Sequence, residues 1–202
     1  MAFVNLKHKL IQVKIVYYGP GRSGKTTNLE YIYRKFHQRI KSEMVTVKTH
    51  GDRTLFFDFL PFDIGVVDGY QIKIQLYTVP GQVKYDATRR LVLRGADGIV
   101  FVADALAVRR QMNIQSLQNL QENLASYKKD LRTTPWVLQY NKMDLKDNGG
   151  IPMLPIEVLE EDLNQEFRRP YFPASALFGT NVAATLKKII LLTIASIRKE
   201  LL

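Results

Sequence analysis

Two short stretches carry residue types whose spacing suits phosphate and purine chemistry. Gly19-Pro20-Gly21-Arg22-Ser23-Gly24-Lys25-Thr26 fits the pattern G-x-x-x-x-G-K-[ST] of a phosphate-binding loop. Glycines at such spacing let successive backbone N–H groups face one concavity. The start of a following helix adds about half a positive charge, so the main chain can hold a polyphosphate. Lys25 is placed to reach the β and γ phosphates, and the Thr26 hydroxyl is a hard oxygen donor suited to Mg²⁺. Thr27 closes the set of expected phosphate contacts. The second stretch, Asn141-Lys142-Met143-Asp144, suits guanine. Asp144 is an acceptor-only carboxylate that can take both N1–H and the exocyclic amine, a donor pair that adenine lacks. Lys142 would lie along the base plane, and Asn141 would tie this loop back to the phosphate loop. Ser175, Ala176 and Leu177 fit a third contact, in which main-chain N–H groups meet guanine O6.

These residues act together only if the chain delivers them to one edge of the fold. Ile11 to Tyr18 is a β-branched and aromatic run ending at the glycine-rich turn, and Lys25 to His37 has Leu29, Ile32, Tyr33 and Phe36 at helical spacing. The phosphate pattern therefore lies between a strand and a helix, the setting it requires. Lys41 to Arg53 lacks a clean period and reads as a mobile connection. Thr54 to Val66 and Tyr70 to Tyr77 are strand-like and joined by Asp68-Gly69, which predicts an antiparallel hairpin. Gly98 to Asp104 is an apolar run of the kind buried in a parallel sheet. A helix follows with Ile114, Leu117, Leu120 and Leu124 on one face, then a strand from Trp136 to Tyr140 that delivers Asn141. Pro155 to Phe167 reads as a helix, Tyr171 to Ala174 as a short strand, and Asn181 to Leu201 as an amphipathic helix with Leu186, Ile190, Ile194, Ile197 and Leu201 inward. The alternation predicts an α/β fold: six strands, mostly parallel, one antiparallel edge strand, and helices on both faces.

A chain of 202 residues, 46% hydrophobic and 24% charged, suits a single domain spanning 1–202 and excludes collagen-like, disordered and disulfide-framed classes. No apolar stretch approaches the ~18 residues that cross a bilayer. The absence of cysteine removes disulfides, thiol catalysis, prenylation and palmitoylation, and the amino terminus lacks a cleavable leader pattern. A cytoplasmic protein without a lipid anchor is expected. The net charge of +10 favours acidic partners, but the basic residues are scattered rather than gathered with aromatics, so nucleic acid is not expected.

With these residues in view, the chain resembles the Ras-like small GTPases, and within them it is similar to the bacterial MglA family that governs gliding motility and cell polarity. The resemblance runs from about Val13 to Leu192. Its most specific marks are Gly19 to Thr27, Arg53-Thr54-Leu55-Phe56-Phe57-Asp58-Phe59-Leu60-Pro61, and Thr78-Val79-Pro80-Gly81-Gln82. It implies a Ras-like P-loop G domain, GTP and GDP as ligands with Mg²⁺, slow GTP hydrolysis, recruitment to a cell pole, and a homodimeric roadblock-fold partner that accelerates hydrolysis.

The resemblance also implies roles in the switch segments. Thr54 resembles the threonine that ligates Mg²⁺ when the γ-phosphate is present, and Gly81 the residue whose N–H meets that phosphate. Gln82 resembles the residue that orients the attacking water. Arg53 resembles an arginine that this family supplies from its own chain to neutralise charge between the β and γ phosphates. Ordinary Ras-like proteins carry an aspartate where this chain has Thr78. Asp58, on the neighbouring strand, either replaces that carboxylate in the second shell of the metal or meets an adjacent basic side chain. Arg22 either touches phosphate or a partner, or faces solvent. A P-loop ATPase or kinase would share Lys25 and Thr26 but has no use for Asp144. A non-hydrolysing scaffold would have no use for Gln82 and Arg53.

Overall fold

Strand and helix segments alternate along the chain and build one mixed sheet between two helical layers. The computed structural model describes residues 3–5, 7–39, 44–46, 58–67, 69–82, 85–146 and 150–201, with backbone alone at 45, 46, 58 and 201. The strands are β1 (Phe3–Asn5), β2 (Leu10–Tyr18), β3 (Val45–Thr46), β4 (Asp58–Val67), β5 (Tyr70–Thr78), β6 (Gly98–Asp104), β7 (Trp136–Asn141) and β8 (Tyr171–Pro173). Their order is β3-β4-β5-β2-β6-β7-β8, with β1 paired to β2. β2 runs parallel to β5 and β6, β6 to β7, and β7 to β8, while β1/β2, β3/β4 and β4/β5 are antiparallel. All six expected strands are present, and β1 and β3 are two short additions. Parallel pairing places the carboxyl ends of β2, β5, β6, β7 and β8 on one edge, where ligands of open α/β sheets bind.

The helices are α1 (Lys25–Phe36), α2 (Asp86–Leu93), α3 (Arg110–Ala125), α4 (Ile156–Leu163) and α5 (Val182–Leu201). One face of the sheet packs Ile15, Tyr17, Ile74 and Val102 against Leu29 and Ile32 of α1 and Leu186 and Ile189 of α5. The other packs Val16, Phe101 and Leu138 against Val92 and Leu93 of α2, Leu117 and Leu120 of α3, and Leu159 and Leu163 of α4. Covered on both faces, β6 and β7 are buried at every position, which is why their sequences lack polar alternation. In β5, Ile72, Ile74 and Leu76 are buried and alternate with less buried Lys73 and Gln75.

Two helix boundaries and one unexpected helix trace to particular side chains. The helix expected to reach Phe167 stops at Leu163, because the Asn164 side chain accepts from Arg169 N (2.7 Å) and donates to Arg169 O (2.8 Å), turning the chain out of the helix. α5 starts one residue late because Asn181 takes φ 57° and donates to Pro173 O at 2.7 Å. α2 was not foreseen, because its buried face includes Arg89 beside Val92 and Leu93, which hides the apolar period. Of the Lys41 to Arg53 connection, Met44, Val45 and Thr46 are described; the rest lies outside the described residues.

Candidate functional site

The phosphate loop is shaped by two glycines that no side chain could replace without displacement. Gly19 has φ 142°, and a Cβ there would stand 2.2 Å from the Val102 carbonyl of β6. Gly24, which begins α1, has φ 97°, and its Cβ would stand 2.1 Å from Asn141 Nδ2. Backbone of β6 and the Asn141 side chain thus occupy the space a side chain would need. Lys25 is buried and folds back over the loop, donating to Gly19 O (2.9 Å) and Pro20 O (2.6 Å). The first turn of α1 carries no acidic residue, so the positive end of the helix is left for an anion. Thr26 and Arg22 are exposed, Arg22 at φ 64°; Ser23 is buried and Thr27 half-buried.

Asn141, at the end of β7, is the joint of the site. Its Nδ2 donates to Ser23 O at 2.7 Å, and its Oδ1 accepts from Ala176 N–H at 2.8 Å. One amide thereby joins the phosphate loop, its own loop and the Ser175–Leu177 loop. Lys142 takes φ 74° and its Nζ lies 2.6 Å from Asp104 Oδ2. Asp144, half-buried in a single helical turn from Met143 to Leu145, spends its carboxylate on no hydrogen bond or ion pair among the described residues. Ser175 and Ala176 are buried and Leu177 is exposed. Gly179, φ 80°, lies under the Tyr31 ring, where a Cβ would stand 1.8 Å from Cζ, so α1 also holds this loop.

The carboxyl end of β5 leads Thr78 and Val79, both buried, into Pro80-Gly81-Gln82. Val79 N–H donates to Tyr17 O at 3.2 Å. Gly81 lies against the phosphate loop: its Cβ would stand 2.3 Å from Gly21 N. The Gln82 carbonyl accepts from Arg89 Nη1 at 2.5 Å, and Gln82 is exposed. These residues border one cleft of about 980 Å³ that also reaches Lys25, Thr26, Arg89 and Arg109. Arg53 and Thr54 lie outside the described residues, and of Asp58 the backbone is described. Phe59 pairs with Tyr77, so Asp58 stands one position past that pair, at the end of the hairpin where Thr78 lies.

A threonine hydroxyl lining this cleft is a donor that fits a hard cation. Thr26 offers a hydroxyl to the cleft, and no group of three or more His, Cys, Asp or Glu able to hold a metal occurs among the described residues. Sequence reasoning missed the polar cluster behind Gln82. Arg89 is buried and donates through Nε to Asn119 Oδ1 (2.8 Å) and through Nη2 to Asp86 Oδ1 (3.2 Å), which also accepts from Asn119 and Asn123. Burial opposes the charge on Asp86, but the Asn119 and Asn123 amides and the Arg89 guanidinium outweigh it and bring the carboxyl down to about 2. Burial pushes the adjoining Tyr18 hydroxyl up to about 12. The available signal was Asn119 and Asn123, poor helix formers four apart on one helix face.

The Ras family profile matches residues 14–194. The chain belongs to the Ras family of small GTPases. It is 45% identical over 199 residues, 98% of this chain and 99% of the other, to the Mutual gliding-motility protein MglA of Myxococcus xanthus. It is 26% identical to Ras-related protein Rab-9A of Rattus norvegicus (88% of this chain, 80% of the other) and 24% identical to Ras-related protein Ral-a of Drosophila melanogaster (84% and 74%). Within the family it is MglA-like. This MglA-like GTPase binds guanine nucleotide and converts GTP to GDP and phosphate. Among the described residues no helix is long and apolar enough to cross a membrane.

Proposed function

We propose that this small GTPase is a cytoplasmic switch for cell polarity or motility, recruited to a cell pole, that holds GTP or GDP with Mg²⁺ and hydrolyses GTP slowly until a homodimeric roadblock-fold partner accelerates it. The name of the Myxococcus xanthus relative, Mutual gliding-motility protein MglA, supports a role in motility. The observation that carries the nucleotide reading is the Asn141 amide bonded to both Ser23 O and Ala176 N–H, beside an Asp144 carboxylate that makes no hydrogen bond or ion pair among the described residues. That geometry supports Asp144 as the acceptor for guanine N1–H and N2–H₂, with Ala176 and Leu177 closing on the base. The main chain of Gly19 to Thr27 and the start of α1 bind the phosphates. Lys25, which here satisfies two loop carbonyls, exchanges them for phosphate oxygens.

Phosphoryl transfer asks a protein for positioning and charge stabilisation. Thr26 and Thr54 would hold Mg²⁺, with Asp58 as an outer carboxylate in place of the aspartate absent at Thr78. Held by these residues, Mg²⁺ would supply positive charge to offset the negative charge on the phosphates. Gly81 N–H meets the γ-phosphate, Gln82 orients the attacking water, and Arg53 stabilises charge between the β and γ phosphates. A loop that orders only around a γ-phosphate gives the switch its output.

Phosphate release from GTP, with and without a roadblock-fold homodimer, tests this reading. The partner should raise the rate, and Arg53→Ala and Gln82→Ala should each bind GTP normally and lose the stimulated rate by ~10³-fold or more. Stimulated hydrolysis by Arg53→Ala within about threefold of the parent, under ~1 kcal/mol, would return Arg53 to a surface role.

A further inference from the structure

Asp104, the last residue of β6, is fully buried and carries a charge that the phosphate and base contacts above do not use. Its position is fixed from every side. Asn113 on α3 brackets its backbone, accepting from Asp104 N–H (2.9 Å) and donating to Asp104 O (2.8 Å), and Oδ1 accepts from Leu106 N–H at 3.1 Å. Oδ2 faces two cations from different parts of the site. Lys142 Nζ, from the base-reading loop, lies 2.6 Å away, and Arg109 Nε, from the turn that precedes α3, lies 3.6 Å away.

Arg109 continues past the carboxylate to the phosphate loop, where Nη2 donates to Gly21 O at 2.5 Å. Its Nε is buried without a hydrogen-bond acceptor, because 3.6 Å is too long for one, so Asp104 serves Arg109 as a charge partner. Gly21 is therefore gripped on two sides: its amide end lies against Gly81, and its carbonyl is bound by Arg109. A buried carboxylate set between two cations raises the cost of moving either one alone, since the other cannot compensate it in both places.

We propose that Arg109 is a positioning residue of the phosphate loop and that Asp104 couples it to Lys142, so that the base-reading loop and the phosphate loop hold the nucleotide as one unit. The proposal rests on the guanine-nucleotide reading given above. It is separate from the Asn141 bridge, which is neutral and joins the loops at Ser23 instead of Gly21. Arg109 has no contact with nucleotide in this scheme; it acts through the Gly21 peptide.

The test is the dissociation rate of fluorescent GDP from the full chain and from Arg109→Gln, Lys142→Gln and their double variant. Losing a charge-assisted bond that shapes the loop should speed dissociation about tenfold in Arg109→Gln. The double variant should fall short of the product of the two single effects by at least about threefold, which a general loss of stability at two independent places would not produce. Arg109→Lys, which keeps the charge near Asp104 but lacks the fork that reaches Gly21 O, should lie between parent and Arg109→Gln. If Arg109→Gln does not fold, an Arg109→Lys rate equal to the parent's overturns the proposal. So does an Arg109→Gln rate within about threefold of the parent's, or single effects that multiply in full. A parent chain that fails to retain GDP would instead sink the guanine reading itself.

Discussion

At the scale of single residues, the site depends on which polar atoms are already committed and which are left for a ligand. Asn141 spends both ends of its amide on the protein, whereas Asp144 beside it spends neither oxygen among the described residues. A site built around one carboxylate aimed at two donors changes its preference when that carboxylate becomes an amide. Asp144→Asn should lose GTP affinity by ~10³-fold or more and gain xanthosine triphosphate, whose 2-carbonyl can accept from the new amide. Competition binding with the two triphosphates checks this, and an unchanged preference would remove Asp144 from the base site. Both motifs were legible because their chemistry dictates residue type at fixed spacing. Arg89, Asp104 and Arg109 were not legible, because an arginine or aspartate gives no sequence sign of whether it is solvated or buried beside partners from elsewhere in the chain, as Arg89 is beside Asn119, Asp104 beside Lys142 and Arg109 beside Gly21.

At the scale of elements, α2 and α3 meet through polar atoms as well as apolar ones, and this joint adjoins Gln82. Asp86 accepts from Asn119, Asn123 and Arg89, and Arg90 Nη2 approaches its other oxygen at 3.0 Å. Its folded pKa of about 2 lies below that of an unfolded aspartate, so the stabilisation is present above pH ~4 and is lost as pH falls towards 2. The carboxylate is one-third exposed, so screening keeps its share to about 1 kcal/mol or less. Asp86→Asn should therefore lower the unfolding midpoint at neutral pH and flatten its fall between pH 4 and 2. Thermal melts across that range decide it; a parent-like slope would contradict the assignment. β4 and β5 form the other element with a visible weakness: their register shifts between Asp63 and Gly65, where Gly65 takes φ 88° and Asp63 Oδ1 accepts its N–H. This pair leads to Thr78 and Gln82 and has one fully covered face, so its amides from Asp58 to Thr78 should differ most in hydrogen exchange between GDP and GTP-analogue forms. Indistinguishable protection would argue that the sheet edge is static. The dipeptide Asp68-Gly69 made the hairpin legible, but the bulge within it depends on cross-strand pairing that no local pattern encodes.

At the scale of the whole molecule, parallel pairing does the assembly. Five strands end at one edge, and each end carries part of the site: Tyr18 leads to the phosphate loop, Thr78 to Gly81 and Gln82, Asp104 to Arg109, Asn141 to the base loop, and Pro173 to Ser175 and Ala176. The alternation of strand and helix was enough to foresee this edge, since a parallel sheet with covered faces leaves few other arrangements. The short β1 and β3 were less visible because two or three residues carry no period. The edge so assembled should select guanine nucleotides. Equilibrium binding of GTP and ATP to the full chain in the presence of Mg²⁺ tests it most directly. GTP should bind at least ~10⁴-fold more tightly, because a carboxylate placed for two base donors is left unpaired by adenine. ATP affinity within tenfold of GTP would contradict it.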